Sequence, residues 1–325
     1  MLYYENEIFF KIVLASMLTF LLSEFMAIYP IISKNFERYE KNVLKHIVPV
    51  WEITGTFIVF FVVELELIYS SLVPISSYLL IPLVGIFVAF LILRNAWIIY
   101  AEFLWKDGKS INKRNLYRFY SIATFIMVAV FLIAVSALIY GKGINLDSSN
   151  LSGSYINFVP LFSTFYFYLF FAGTLILMYG FSMVFYRTSE KRYMPLLFNI
   201  AGIIISAYGL YGLTFNDKLL SIDYLLIPVI IGIIIPVLYI FDKTTYLASY
   251  KPFFFVLMII GIFFLEYPVN YIAAGAFPVK IFESPAPMLG FNIILSIAGG
   301  IGVTLLMIAY SFVYNNGSLK IKDVN

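Results

Sequence analysis

Apolar residues in this chain do not alternate with polar ones at the spacing of a surface helix or a half-buried strand. They come in long unbroken runs separated by short polar stretches. Nine runs reach the roughly 20 residues that a helix needs to cross about 30 Å of hydrocarbon, over 8–32, 47–73, 78–104, 117–140, 158–186, 195–215, 223–241, 252–276 and 288–314. This predicts an all-α polytopic membrane protein of about nine transmembrane helices. The first run follows Glu5 and Glu7, is long for a signal peptide and lacks a small-residue cleavage site, so it is expected to remain as the first span.

Composition supports the pattern and removes several chemistries. Of 325 residues, 62% are apolar and 12% charged, against roughly 45–50% and about 25% in soluble domains. A soluble globular protein is excluded. The chain has no cysteine, which excludes disulfides, Cys-ligated zinc, iron–sulfur clusters and thiol catalysis. The one histidine, His46, is too few for a bis-histidine heme or a three-histidine metal site. It falls in a basic loop between the first two spans and is expected at the surface. Neither a metal site nor a nucleic-acid partner is expected.

The position of each charge says more than the net +3. The loops after spans one, three, five and seven, with the C-terminal tail, hold Lys34, Arg38, Lys41, Lys45, Lys106, Lys109, Lys113, Arg114, Arg118, Arg187, Lys191, Arg192, Lys243, Lys251, Lys320 and Lys322. The opposite loops hold only Lys142, Lys218 and Lys280. By the positive-inside rule the chain is expected as a multi-pass protein of the cell membrane, with the N-terminus outside and the C-terminus cytoplasmic. Asn150-Leu151-Ser152 forms a glycosylation sequon in a loop on the expected outer side, a match that chance explains equally well.

An internal repeat organises the spans. Tyr78-Leu79-Leu80-Ile81-Pro82 returns as Tyr224-Leu225-Leu226-Ile227-Pro228, and the same offset of 146 residues carries Pro49 to Pro195. Both matches are expected to place proline in a first helical turn, where its missing N–H does no harm. The reading is two parallel-repeat four-helix bundles plus one extra helix. Residues 1–140 form the first unit, 141–157 an external linker, 158–276 the second unit, and 277–325 the ninth helix and inner tail. At the repeat offset Glu24, Glu52, Glu64, Glu66 and Arg94 face Phe170, Phe198, Leu210, Gly212 and Ile240. The polar function is therefore expected in the first unit.

An ionisable group near a bilayer centre costs about 2.5–3.5 kcal/mol on insertion scales, so these five need a reason. Glu52 and Glu66 return to within roughly 40° of one helix face and stand about 21 Å apart along it. With Glu24 at a depth like that of Glu52, they mark a candidate proton path, Glu24 and Glu52 at the inner side and Glu66 toward the outside. Raised carboxyl pKa values in low dielectric would let such groups exchange protons. Arg94 is the expected charge partner of one of them. A purely structural Arg–Glu lock between spans one to three is the competing explanation. Glu64 lies about 120° off the stripe and is expected to serve another contact. Glu266 is the lone buried acid of the second unit, expected beside a kink at Pro268. Trp51 joins the path candidates, since its indole N–H is suited to a neighbouring carboxylate or a quinone headgroup.

The order of these features resembles subunit II of cytochrome bd quinol oxidases. Pro49-Val50-Trp51-Glu52 is similar to that family's Pro-x-Trp-Asp segment, Leu93-Arg94 to the start of its Leu-Arg-Pro stretch, and the course from Phe277-Pro278 through Pro287 to Ala309-Tyr310 to its closing pattern. Only Ser23-Glu24 stands where the family has an acidic, glycine-rich turn; Ile53-Thr54-Gly55 replaces a Gly-Asn-Glu run; Asn95 and Ile99 follow Arg94 in place of a proline and an acid. This fits a divergent relative, such as an archaeal one. The resemblance implies a non-catalytic subunit that binds no cofactor alone and scaffolds a heme-bearing membrane subunit. Heme b/d and quinol are expected in that partner, and a quinone or lipid contact with this chain is compatible with it. Two other readings stay open: a companion subunit in another b-type cytochrome complex, and a secondary transporter.

Overall fold

The computed structural model describes residues 2–105, 112–145, 154–189, 191–214, 222–241, 251–266, 271–272 and 277–315. In chain order the helices are α1 (Leu2–Met26), α2 (Ile28–Ile32), α3 (Phe36–Ile68), α4 (Leu72–Ile99) with a π-helical turn at Tyr100–Leu104, α5 (Lys113–Tyr140), α6 (Val159–Ser163), α7 (Phe165–Tyr186), α8 (Met194–Thr214), α9 (Ile222–Phe241), α10 (Lys251–Glu266) and α11 (Ala286–Asn315). Six described helical stretches are long and apolar enough to cross a membrane, and Leu225–Phe241, Phe253–Glu266 and Ala286–Gly302 are shorter apolar helices. The chain is an all-α polytopic membrane protein. Two short hairpins interrupt it: β1 (Ile144–Asn145) pairs antiparallel with β2 (Tyr155–Ile156), and β3 (Tyr271–Ile272) with β4 (Phe277–Pro278).

Several element ends differ from expectation, each for a local reason. The first span breaks at Ala27, whose N–H turns back to the Glu24 carbonyl at 3.0 Å. Pro30 cannot donate to the carbonyl four residues earlier, Met26; the Ser182 hydroxyl of α7 donates to it instead, at 2.8 Å. The fifth span is interrupted at Thr164, where the backbone is extended. The basic stretch before the second span is helical, so α3 begins at Phe36, and Pro49 lies inside it instead of in its first turn. Pro82 and Pro228 are likewise inside α4 and α9, whereas Pro195 does open α8. The described part of the eighth span is Lys251–Glu266. Pro268 and Asn150 lie outside the described residues.

Helices α3, α10 and α11 pack against α1, α11 also against α3 and α10 against α9, while α4 pairs with α5, and α7 with α8. The first span is the most enclosed, with 72% of its most apolar window buried against 17% for Tyr78–Leu104, so α1 is central and α4 peripheral. The α7–α8 pair is the closest. Added Cβ atoms on Gly173 and Gly202 would run into the backbone of Ser206 and Leu177, the close approach that small residues permit between helices in lipid. Gly180 leaves room for Asn199, whose Nδ2 donates at 2.9 Å to the Gly232 carbonyl, the group that Pro236 four residues on cannot serve.

Candidate functional site

Two buried polar clusters occupy opposite ends of the helix array. At the end rich in lysine and arginine, where α1 ends and α5 begins, the cluster is built by Glu24 from α1, Arg94 from α4 and Tyr120 from α5, all fully buried. Arg94 Nη1 stands 3.0 Å from Glu24 Oε2 and donates to Oε1 at 3.2 Å. The Tyr120 hydroxyl donates to Oε2 at 2.6 Å. Arg94 Nε reaches Asn95 Oδ1 at 3.2 Å, and the same oxygen accepts from Trp51 Nε1 at 2.6 Å. One negative and one positive charge thus compensate each other in a fully desolvated pocket, the condition under which a buried pair is tolerated. Arg94 Nη2 has no hydrogen-bond partner among the described residues. One turn toward the basic end, the Tyr117 hydroxyl donates to Glu102 of the π-helical turn, and Lys113 stands over the Trp105 and Tyr117 rings.

The second cluster lies where α1 begins and α3 ends. Glu64 of α3, Asn6 of α1 and Asn292 of α11 are fully buried, and Ser296 of α11 is nearly so. Glu64 Oε2 accepts from Asn292 Nδ2 at 2.8 Å and Oε1 from Ser296 Oγ at 2.7 Å. Asn292 Nδ2 also donates to Asn6 Oδ1 at 2.8 Å, and Asn6 Nδ2 to the Leu289 carbonyl at 3.2 Å. Nearby on α1, Lys11 pairs with Glu7 at 2.7 Å.

The expected path residues are divided between these places. Glu24 and Arg94 come together, and Trp51 joins them through Asn95. Its indole N–H is therefore given to the Asn95 amide and not to the adjacent Glu52. Glu52 and Glu66 share one face of α3, as their spacing required, and that face is exposed. Neither carboxylate meets Glu24 or the other. Glu64, off the stripe, points to the opposite side and into the protein. Glu266 ends α10 with both carboxylate oxygens buried and without hydrogen-bond partners among the described residues.

His46 corrects a second expectation. It is fully buried in α3, with the rings of Phe185, Tyr186 and Phe255 at 4.5, 5.5 and 6.0 Å from its own. Those rings pack around the imidazole and hold it in the apolar interior. Tyr120, Tyr117, Glu102, Asn6, Asn292 and Ser296 were not singled out in the sequence, and Asn95 was noted only for standing in place of a proline. The legible signal was only that polar residues recur inside apolar spans, with Asn292 and Ser296 one turn apart on α11.

No family model and no curated protein matches the chain. A chain in the solved structure of the bd oxidase from Geobacillus thermodenitrificans does match in three dimensions, at 15% identity, over 99% of each chain and with a TM-score of 0.62. The fold is that of a bd oxidase chain. The likeness runs over nearly the full length of both chains.

Proposed function

We propose that this chain is the heme-free membrane subunit of a respiratory quinol oxidase of the cytochrome bd type, scaffolding the heme-bearing subunit and supplying it with protons from the cytoplasmic side. The observation that carries the reading is the exposed position of Glu52 and Glu66 on one face of α3, inside a chain with a bd oxidase fold. Carboxylates facing lipid are costly, and a partner subunit covering this face relieves that cost. The same side of α3 is otherwise mostly apolar, with Val59, Val62 and Val63 exposed, and α4 exposes Ile81, Val84, Val88 and Ile92. It is a surface suited to a second membrane protein that brings a few polar groups to meet the two acids.

The proton route in this reading starts at Glu102 and Tyr117 on the basic end, taken as cytoplasmic by the positive-inside rule. Tyr117 and Tyr120 are three residues apart on α5 and share a helix face, which leads to the Tyr120–Glu24 hydrogen bond. Arg94 holds the Glu24 carboxylate in place. The Asn95–Trp51 pair then borders Glu52 at the partner's face. The hemes b and d and the quinol site belong to the partner, which carries out the oxygen chemistry.

The decisive experiment is to tag this chain in its own cells, purify it under mild detergent and record reduced-minus-oxidised spectra of what accompanies it. A larger subunit with b- and d-type heme bands and quinol:oxygen activity is the expected result. A complex with b-type bands alone would move the chain to another cytochrome assembly, and a chain that purifies alone and moves a solute in vesicles would make it a transporter.

A further inference from the structure

The Glu64 cluster is unlike the Glu24 cluster in one respect: among the described residues no cationic side chain bonds to its carboxyl group. Every hydrogen-bond partner of Glu64 among the described residues is neutral, namely Asn292 and Ser296, and the nearby ammonium of Lys11 pairs with Glu7. An isolated buried carboxylate is among the most costly groups a protein interior can hold.

A second deficit lies beside the first. Asn292 Oδ1 is fully buried and has no hydrogen-bond partner among the described residues. Turning the amide over does not cure this. Asn6 donates to the Leu289 carbonyl through Nδ2, so its Oδ1 faces Asn292 and requires an N–H there. With that nitrogen fixed, Asn292 Oδ1 remains an acceptor without a donor. With Glu64 ionised, the cluster therefore combines a negative charge that no described hydrogen-bond partner compensates with one acceptor oxygen, Asn292 Oδ1, that has no donor among the described residues. A proton on Glu64 Oε1, donated to Ser296, would remove the charge and leave Asn292 Oδ1 unserved. A cation held by oxygens answers both at once.

We infer that Glu64, Asn292 and Ser296 bind a monovalent alkali cation between α1, α3 and α11. The oxygens available are the Glu64 carboxylate, Asn292 Oδ1 and Ser296 Oγ, with Asn6 Oδ1 beside them, a hard-oxygen set of the kind that alkali and alkaline-earth cations take. A single carboxylate matches a single charge; a divalent ion would leave a net positive charge buried in the membrane. The ion ties the last helix, α11, to α1 and α3. It lies at the end of the array opposite Glu24 and needs no heme chemistry, so the inference does not rest on the proposed oxidase role.

The test uses the full chain in detergent, with whatever subunits accompany it. Radioactive sodium is expected to bind at one ion per chain, to be displaced by unlabelled sodium or potassium but not by choline, and to raise the melting temperature relative to choline chloride. Glu64→Gln is expected to abolish binding. Ser296→Ala, the milder change, should weaken it about tenfold, the equivalent of one hydrogen bond to a charged group, and keeps the test open if Glu64→Gln fails to fold. Absence of sodium and potassium binding in the unmodified protein would overturn the inference. A stability that depends on pH through Glu64 and is indifferent to alkali ions would replace the cation with a proton.

Discussion

Oε2 of Glu24 accepts the Tyr120 hydroxyl at 2.6 Å, and both side chains are fully buried. Two helices that are distant in sequence, α1 and α5, thus meet through a hydrogen bond to a charged group whose counter-ion, Arg94, comes from a third. The bond is short because a carboxylate accepts more strongly than a neutral oxygen. It is also the point where a structural lock and a proton relay make different predictions.

Tyr120→Phe removes one donor from Glu24 and leaves the ion pair. The expected loss is about 1.5–3 kcal/mol of stability, with the complex still assembled. If the hydroxyl relays protons, uptake linked to oxygen consumption slows severalfold more than assembly falls. Equal decline of both, measured by stopped-flow pH change and by yield of the complex, would assign the network to structure alone.

Glu24→Gln leaves the Arg94 guanidinium buried and unpaired. Breaking a buried pair on one side costs about 3–5 kcal/mol, so the variant should assemble poorly. The double change Glu24→Leu with Arg94→Met removes both charges and is expected to recover stability toward the starting value. Melting temperatures of the three proteins decide this, and a double variant as unstable as the single one would count against charge compensation as the basis of the pocket.

Glu52→Gln and Glu66→Gln change exposed carboxylates that make no hydrogen bond within the described chain. Neither should alter the chain's own stability by more than about 0.5 kcal/mol. Glu52→Gln is expected to slow oxygen-linked proton uptake more than it lowers expression or assembly. Glu66→Gln is expected to change retention of the partner subunit during detergent washing.

Ser182→Ala removes the hydroxyl that serves the Met26 carbonyl, the group left over by Pro30. An unsatisfied buried acceptor costs about 1–3 kcal/mol, and the same substitution should loosen the break at Ala27 that sets the direction of Glu24. Faster amide exchange at Ile28–Ile32, with the α7–α8 pair unchanged, is the outcome to look for.

Much of the frame was legible in the sequence because crossing hydrocarbon is a demand on every residue in a run. The nine apolar stretches gave the helices, and the rarity of charge inside them pointed to Glu24 and Arg94. Depth along a helix also follows from residue number, so Glu52 and Glu66 fell on one face of α3 as computed from 100° per residue. Hydropathy carries no sign for direction, however. The spacing separated Glu64 from the Glu52 and Glu66 stripe but did not say which side faces inward; the packing of α1 and α11 against one side of α3 turned Glu64 inward and left the other two exposed. His46 read as a loop residue because its neighbours are basic; the continuation of α3 back to Phe36 and the rings of Phe185, Tyr186 and Phe255 buried it.

What the sequence determined by itself was therefore the solvent, the spans and the short inventory of charges inside them, all consequences of the one-dimensional cost of placing polar groups in lipid. The tertiary structure decided which of those charges meet. Glu24 with Arg94 and Tyr120, and Glu64 with Asn6 and Asn292, are separated by tens to hundreds of residues, and only helix packing brings their donors and acceptors within hydrogen-bond reach.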